Sequence, residues 1–360
     1  MQFFEKYYSN SLAGSGNQSF YLPENPNEVR TARLFFKIFK GGLYHYSILF
    51  SNTIDSTFSD GSFSHKNIVC DEWFIDSMRL GICDTCNCET MVNIDRFHSV
   101  TFNGNITKSV MPGEFFSTDE ILLDLRSNQF ICLEIAYHGP MIPCHPESLI
   151  PTFSKENDKW VPSKDVPVPS MIGCDRPISK RIAYLGDSIT QGIGTPHNAY
   201  TAWNCLLSDH LGNHNGYWNL GLGFGRADDA ASDGAWLFKA KQADTVIVCF
   251  GVNDIHKGFT QECIQKNLKT IAEILSKNGI RVIIQTVPPF DYNENNRITW
   301  ENINNYIKTV LAQDYEIFDN VPILSVSYEF PYNAKYGGHP NEKGCALWAE
   351  KLYEQLKNTL

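Results

Sequence analysis

The chain has 360 residues, of which 42% are hydrophobic and 19% are charged, so it holds more apolar material than a single domain usually buries. Its formal net charge is -10 at pH 7 and it has no run of clustered Lys and Arg, which phosphate backbones require of their partners. Two domains are therefore expected, and nucleic acid is not an expected partner.

The amino-terminal residues read MQFFEKYYSNSLAGSGNQ and lack the basic segment and apolar run of a secretory signal. No stretch of about 18 consecutive apolar residues occurs in the sequence. We therefore expect a cytoplasmic protein that has no membrane partner.

Eleven cysteines are spread along the chain, many of them inside apolar runs such as VIVCFG and FICLEI, and we expect most to be reduced core residues. The exception is the stretch CDTCNCE, where Cys83, Cys86 and Cys88 lie close together. A structural zinc site would need a fourth ligand, and Cys70 and His98 have no diagnostic spacing to this stretch. An ordinary loop that carries thiols, with no metal, is the expectation.

Short runs rich in Phe, Ile, Val and Tyr alternate with Gly, Asn, Ser and Asp clusters between about residues 30 and 150. They read ARLFFKIF, LYHYSILFS, SVTFNG, EILLDLR and FICLEIAY, and they predict an all-β sandwich. Among them, DEWFIDSMRLG is compatible with a helical turn or a loop. The stretch 145–180 is dense in proline and polar residues and is interpreted as a linker. The domains are therefore predicted at 1–175 and 176–360.

Apolar strands alternate with long helical stretches after this boundary. The strands read RIAYLG, TVIVCFG and IRVIIQTVPP, and the helices read AYTAWNCLLSDHL, DDAASDGAWLFKAKQ, QECIQKNLKTIAEILSKNG and ENINNYIKTVLAQD. In the third helix, Ile and Leu recur at three- and four-residue steps from Ile264 to Leu275, the pattern of a helix that covers a sheet. The second domain is therefore predicted to be α/β, with a doubly wound parallel sheet.

Two motifs lie where predicted strands end, the edge at which the reactive groups of open parallel sheets collect, and a third lies between them in the sequence. GDSITQG puts Ser188 on a turn, where it is either the cap of the next helix or a nucleophile. GVND puts Asn253 after another strand, where its amide either donates to a developing oxyanion or closes a turn. In NLGLGFGR, Gly221, Gly223 and Gly225 allow a backbone N–H to approach a ligand, although the spacing differs from that of a nucleotide-binding loop.

Together, GDSIT, NLGLG, GVND and GGHPNEKG, in this order on an α/β frame, resemble the four conserved blocks of the SGNH (GDSL-type) hydrolases. The resemblance implies an SGNH or flavodoxin-like sheet, with Ser188 as the nucleophile and His339 as the base. It also implies an oxyanion hole made by the N–H of Ser188, the N–H of a glycine and the amide of Asn253. Gly223 is preferred to Gly225 as that glycine. No metal or organic cofactor is implied.

The resemblance covers about residues 180–358, half of the chain. With a β-sandwich in front of it, jelly-roll-like by the same resemblance, the chain looks most like the two-domain carbohydrate esterases, which remove acetyl groups from sugars. A carboxylic ester hydrolase is therefore expected, with a small-molecule or oligosaccharide acyl ester as substrate and a homo-oligomer as a compatible assembly. The alternatives are a lipase- or thioesterase-type acylhydrolase and a catalytically silent carbohydrate-binding protein.

Three residues before His339, where the family usually has the aspartate that orients the histidine, this sequence has Tyr336. Orientation needs only an acceptor for Nδ1–H, and the Gly337–Gly338 pair has the backbone freedom to supply a carbonyl. We therefore predict a Ser–His dyad, with Asp319 and Glu329 as the side-chain alternatives for the acceptor.

Four further residues near these motifs have predicted positions. Asp187 is predicted to be structural and to bind backbone N–H groups around the nucleophile turn. His256, Trp300 and Trp203 are predicted at the rim of the site.

Overall fold

The structure is a computed structural model that describes residues 2–56, 66–87, 94, 96–324, 334–335 and 338–360. The chain divides into two compact units, one made of Met1–Asp55 with Asn67–Pro177 and the other of Ser56–Lys66 with Ile178–Leu360. In the part of the chain that the structure describes, no helix combines the length and the apolar character needed to cross a membrane.

The first unit consists mainly of strands that follow one short helix, α1 (Phe3–Lys6). Its strands are, in chain order, β1 (Tyr8–Ser9), β2 (Ser19–Tyr21), β3 (Arg30–Lys37), β4 (Gly42–Ser51), β5 (Trp73–Cys83), β6 (Phe97–Val100), β7 (Lys108–Val110), β8 (Phe115–Ser117), β9 (Ile121–Leu125), β10 (Phe130–His138), β11 (Ile142–Cys144), β12 (Thr152–Glu156), β13 (Lys159–Pro162) and β14 (Met171–Cys174).

Antiparallel pairing organises these strands into two large sheets. One sheet has the order β1-β14-β4-β8, with β9 also paired to β4. The other has the order β13-β12-β3-β10-β5-β6, with β7 also paired to β5. β2 and β11 form a separate two-stranded ribbon. The strands predicted between residues 30 and 150 are therefore confirmed as antiparallel sheets.

One apolar core is shared by the two large sheets. Leu34 and Leu133 contribute to it from one sheet and Ile48 and Ile172 from the other, and each is at most 2% exposed. Because successive side chains of a strand point to opposite faces, the alternating runs of the sequence put one face of each sheet into this core.

The predicted linker at 145–180 is wrong, because this stretch contributes three strands to the first unit. β12 pairs with β3 and with β13, and β14 pairs with β4. Phe153 and Val168 from this stretch are 0% and 2% exposed. Its prolines lie between strands or, as Pro162 does, at a strand end, where a missing N–H is tolerated. The open stretch DEWFIDSMRLG is neither a helical turn nor a loop but most of β5.

The second unit alternates strands and helices. Its strands are β15 (Arg181–Gly186), β16 (Gly216–Gly221), β17 (Thr245–Cys249), β18 (Arg281–Gln285), β19 (Glu316–Phe318), β20 (Ala334–Lys335) and β21 (His339–Pro340). Its helices are α2 (Ser188–Gln191), α3 (Trp203–Leu211), α4 (Ala227–Ala231), α5 (Ala235–Ala240), α6 (Val252–His256), α7 (Gln261–Lys277), α8 (Glu294–Thr309), a 3₁₀ turn (Leu311–Gln313), α9 (Val321–Leu324) and α10 (Glu342–Leu356).

A parallel sheet in the order β16-β15-β17-β18-β19 forms the centre of this unit. The chain passes from β15 outward to β16 and then crosses back to β17, so right-handed crossovers put helices on both faces, as a doubly wound sheet requires. Ligands of such sheets bind at the carboxyl ends of the strands, where the strand order reverses. That point lies beside β15, and Ser188 follows β15 by two residues.

The helix predicted over DDAASDGAWLFKAKQ is wrong in its continuity, since the structure has two short helices there, α4 and α5. Asp233 between them has a φ of 55°, and Gly234 is extended. A residue in the left-handed region cannot continue a right-handed helix, so the hydrogen-bond ladder ends before Asp233 and restarts after it.

Gly221, the last residue of β16, allows α2 to lie directly on the sheet. A Cβ at this position would lie 2.1 Å from the Gln191 nitrogen and 2.4 Å from the Thr190 carbonyl carbon. Both atoms belong to the backbone and cannot rotate away. We expect Gly221→Ala to lower the free energy of unfolding by about 3 kcal/mol or more, as measured by urea unfolding.

Gly279→Ala is the matched control for this substitution. Its Cβ would meet nothing within 4 Å, and its φ of +77° leaves only backbone strain, about 1–2 kcal/mol. Equal losses in the two variants would contradict the close approach of α2 to Gly221.

Candidate active site

Ser188 is the first residue of α2, and its side chain is half-buried. Asp187 caps this helix, because its Oδ1 accepts a hydrogen bond from the Ile189 N–H at 2.9 Å. The prediction that Asp187 is structural is confirmed, and the alternative that Ser188 caps the helix is wrong. The serine hydroxyl is therefore left for another partner.

That partner is His339, which lies near the carboxyl-terminal end of the second unit in the sequence. Ser188 Oγ lies 2.8 Å from His339 Nε2, although 151 positions separate the two residues in the sequence. The distance is that of a hydrogen bond, and it lies within the reach expected between a nucleophile and its base. Both side chains are half-buried, so the pair is open to solvent.

The backbone around His339 is fixed on both sides. Gly338 has a φ of +111°, and a Cβ there would lie 2.7 Å from Phe290 Cδ2, so only glycine fits against this ring. The Phe290 ring also meets the His339 imidazole edge to face, with centroids 5.2 Å apart. On the other side, Asn341 caps α10 by accepting a hydrogen bond from the Gly344 N–H at 3.0 Å.

The acceptor that orients His339 through Nδ1 stays a prediction. Glu329, Tyr336 and Gly337, which the sequence brings into this question, lie outside the described residues.

Asp319, the other side-chain alternative, is engaged elsewhere. Its Oδ1 accepts a hydrogen bond from Thr286 Oγ1 at 3.0 Å, and its Oδ2 accepts one from Lys308 Nζ at 3.3 Å. Oδ1 also accepts from the Val321 N–H at 3.2 Å. These contacts give Asp319 a structural task at the end of β19 and do not favour it as the acid that orients His339.

Two donors that suit an oxyanion lie at the same edge of the sheet. Asn253, half-buried on α6, donates one hydrogen of Nδ2 to the Gly225 carbonyl at 2.9 Å. An amide nitrogen carries two hydrogens, so a second one remains. The Ser188 N–H belongs to the first helical turn, whose N–H groups have no partner within the helix. Within the described ranges no hydrogen-bond acceptor is found for it.

The two candidate glycines are both engaged in this structure. The Gly223 N–H donates to Gln191 Oε1 at 2.6 Å, and the Gly225 N–H donates to the Leu222 carbonyl at 3.1 Å. Sequence reasoning missed Gln191, although its place three residues after Ser188, on the same short helix, was a usable signal. Between the glycines, half-buried Phe224 has a φ of 57°, a conformation that only a well-fixed segment imposes on a phenylalanine.

Asp254, next to Asn253, is 0% exposed and ties α6 to α4, because its Oδ2 accepts a hydrogen bond from the Ala227 N–H at 3.0 Å. Burial raises the pKa of Asp254 to about 7, and it raises the pKa of Asp187 to about 7 as well. Asn253 and Asp254 thus hold the chain between β16 and α4 at Gly225 and at Ala227, the first residue of α4.

Of the three residues predicted at the rim, only His256 is exposed. Trp203 and Trp300 are 0% and 3% exposed, so their predicted rim positions are wrong. Trp203 stacks on Trp348 with centroids 4.9 Å apart, and the Trp300 Nε1–H donates to the Val287 carbonyl at 2.7 Å. Both tryptophans pack helices onto the unit instead of lining a cleft.

The ten cysteines that are described are all free thiols. Within the described ranges, no group of three or more His, Cys, Asp and Glu side chains is placed to hold a metal ion. In the stretch CDTCNCE, Cys83 is the last residue of β5, Cys86 is half-buried, and Cys88 lies outside the described residues.

A serine hydroxyl bound to an imidazole, beside an amide and a helix N-terminus, is the arrangement that hydrolases with a serine nucleophile use for acyl transfer. Residues 184–347 match the model of the GDSL-like Lipase/Acylhydrolase family. This segment, somewhat under half of the chain, is therefore similar to the GDSL-like lipase/acylhydrolase family, and the similarity supports a hydrolase that acts on esters.

Solved structures similar to this chain cover about its second half. A lipolytic protein of the G-D-S-L family from Veillonella parvula DSM 2008 is 21% identical, with 50% of this chain and 99% of that chain covered and a TM-score of 0.44. The M. smegmatis aryl esterase is 18% identical, with 51% and 100% covered and a TM-score of 0.42. Est24, a carbohydrate acetylesterase from Sinorhizobium meliloti, is 13% identical, with 51% and 100% covered and a TM-score of 0.41. No curated protein matches the chain.

Proposed function

We propose that this protein is a serine esterase that hydrolyses O-acyl esters of carbohydrates, O-acetyl esters above all, through a dyad of Ser188 and His339. The observation that carries the proposal is the 2.8 Å separation of Ser188 Oγ and His339 Nε2. Asn253 lies at the same edge of the sheet and supplies an amide donor. The proposal uses no metal or organic cofactor.

The reaction has two half-reactions of the same form. Ser188 Oγ attacks the ester carbonyl carbon while His339 Nε2 takes the hydroxyl proton. The Ser188 N–H and the second Nδ2 hydrogen of Asn253 stabilise the negative charge that develops on the carbonyl oxygen. The alcohol oxygen then leaves and receives the proton from His339. Water attacks the acyl-enzyme with the same proton transfers, which releases the carboxylic acid and the free serine.

Gly223 is our choice for a third oxyanion donor. Its N–H is held by Gln191 Oε1 at 2.6 Å, so this role requires the Gln191 side chain to release it when substrate is bound. Contacts of this kind often rearrange between the free enzyme and the substrate complex. We retain a backbone carbonyl as the acceptor that orients His339, because Asp319 already binds Thr286 and Lys308.

The chain just after α2 favours a sugar over a long acyl chain. It reads TPHNAYTAW, and in the structure His197 is exposed while Asn198 and Tyr200 are half-buried. Polar and aromatic side chains of this kind suit a ligand with both hydroxyl groups and C–H faces, whereas an alkyl chain would need a continuous apolar groove.

The first unit is proposed to be a jelly-roll-like accessory domain, on the support of its two antiparallel sheets with a common core. A cytoplasmic location is also proposed, supported by the free thiols of the described cysteines. A homo-oligomer is the proposed assembly, and size-exclusion chromatography with light scattering tests it.

The proposed function is tested by the release of acetate from mono-O-acetylated mono- and oligosaccharides, together with the hydrolysis of p-nitrophenyl acetate and octanoate. We expect acetate release from the sugars, and a kcat/KM for the acetyl ester at least about tenfold above that for the octanoyl ester. A preference for octanoate would favour a lipase- or thioesterase-type enzyme. Hydrolysis of none of these esters would contradict the esterase and leave a carbohydrate-binding protein.

A further inference from the structure

His256 lies one helical turn beyond the oxyanion amide. Both Asn253 and His256 belong to α6, and residues three apart on a helix share a face. The His256 side chain is exposed, so it continues the surface of the site outward from Asn253. The mechanism above does not use it.

Aromatic rings connect His256 to the catalytic base. The Phe290 ring centroid lies 5.2 Å from that of His339 and 5.2 Å from that of His256. His256 in turn lies 5.4 Å from the Tyr292 ring, with the two rings tilted by 31°. Phe290 and Tyr292 are both half-buried, and His256 is exposed. The rings of these three residues, which we call the aromatic shelf, therefore have a solvent-facing side.

We place the leaving alcohol on the side of the aromatic shelf. His339 Nε2 receives the serine proton and then delivers it to the alcohol oxygen, so that oxygen must come within hydrogen-bond reach of Nε2. The groups bonded to that oxygen therefore extend past the residues that touch His339. Phe290 touches it directly, and His256 lies next to Phe290.

The chemistry of the shelf combines rings with polar groups. Desolvation of its ring lowers the pKa of His256, so the imidazole is neutral at pH 7 and offers one donor and one acceptor. Asp291, which lies between Phe290 and Tyr292 in the sequence, has an exposed carboxylate that supplies further acceptors. A polyhydroxylated ring uses all of these groups, whereas an alkyl alcohol would desolvate the imidazole and the carboxylate without replacing their hydrogen bonds.

We propose that His256, Phe290 and Asp291 form the subsite for the leaving alcohol, and that this alcohol is a polyhydroxylated ring such as a pyranose. Its C–H face lies on the Phe290 ring, and its hydroxyl groups bind the His256 imidazole and the Asp291 carboxylate. This inference rests on the proposed esterase function and adds to it the residues that select the alcohol.

The test compares two acetyl esters that differ only in their alcohol, a methyl mono-O-acetyl-glucopyranoside and ethyl acetate, both followed by acetate release. We expect His256→Ala to lower the ratio of kcat/KM for the sugar ester to that for ethyl acetate about tenfold, the effect of one or two lost hydrogen bonds. Asp291→Ala should change the ratio in the same direction.

His210→Ala is a close control for His256→Ala. His210 is also exposed and also packs on a tyrosine, Tyr353, with centroids 5.5 Å apart and a tilt of 34°, but it lies near the end of α3. The control should leave both rates and their ratio unchanged. An equal loss on both esters in His256→Ala, or an unchanged ratio in both His256→Ala and Asp291→Ala, would overturn the subsite.

Binding separates a failure of the subsite from a failure of the esterase. In the Ser188→Ala background, we expect methyl glucopyranoside to bind in calorimetry at least about tenfold more weakly when His256→Ala is added. If no ester is cleaved but this loss is seen, the proposed function fails and His256 stands only as part of a sugar-binding site. If ethyl acetate is cleaved while the sugar is neither cleaved nor bound, an ester hydrolase with the Ser188–His339 dyad stands, but its sugar specificity and the subsite both fail.

Discussion

Ser188→Ala should lower kcat for p-nitrophenyl acetate by about four orders of magnitude or more, the largest effect expected in this protein. The substitution removes the proposed nucleophile but leaves the proposed oxyanion donors, so only the residual catalysis of those donors should remain. The release of p-nitrophenol by the purified variant measures the loss. Retention of more than about a tenth of the wild-type rate would show that the reaction does not pass through Ser188.

A double variant tests whether Ser188 and His339 act as one unit. Since Ser188 Oγ and His339 Nε2 share one hydrogen bond at 2.8 Å, removing either partner disables the other. Ser188→Ala with His339→Ala should therefore be no slower than the slower single variant, and losses that multiply would contradict the dyad. Ser276→Ala, an exposed serine near the end of α7, should keep the wild-type kcat and serves as the control.

Asn253→Ala should lower kcat by about 100- to 1,000-fold with little change in KM, the second-largest effect expected on activity. In the proposed mechanism the second amide hydrogen of Asn253 binds the oxyanion only in the transition state, so its loss should appear in kcat and not in substrate binding. Steady-state kinetics with p-nitrophenyl acetate separate the two parameters. A loss confined to KM would assign Asn253 to substrate binding instead.

Asn278→Ala is the matched control for this prediction. Its Nδ2 donates to the Ile274 carbonyl at 2.8 Å, much as the Asn253 Nδ2 donates to the Gly225 carbonyl at 2.9 Å. Asn278 follows α7, so its loss removes the same kind of hydrogen bond without touching the site. We expect kcat to stay at the wild-type value, which would attribute the Asn253 effect to the oxyanion and not to a weakened turn.

The segments that meet in the site could be predicted from the sequence. Ser188 follows β15 and Asn253 follows β17, and a parallel sheet brings the carboxyl ends of neighbouring strands to one edge. Alternating apolar runs predicted the strands of the first unit for an equally local reason, since one face of each sheet is buried. Both predictions depend on periodicity and strand polarity, which the sequence carries directly.

Features that depend on tertiary contacts could not be predicted in this way. The strands at 145–180 are short and lie in a proline-rich stretch, and β12 and β14 form because β3 and β4 offer edges to which they pair. The burial of Trp203 depends on Trp348, which is far along the chain. The hydrogen bond between Gly223 and Gln191 depends on a single side-chain rotamer, and nothing in the spacing of the motifs specifies it.

The two hydrogen bonds that Asn253 and Asp254 make with Gly225 and Ala227 restrict how this protein can diverge. Gly225 and Ala227 are each bound by one of two consecutive residues, so the length of chain between them is matched to the spacing of Asn253 and Asp254 on α6. An insertion there would break one of the bonds and tilt the amide out of alignment. New substrate ranges should therefore arise by replacing side chains around His256 and not by lengthening this segment.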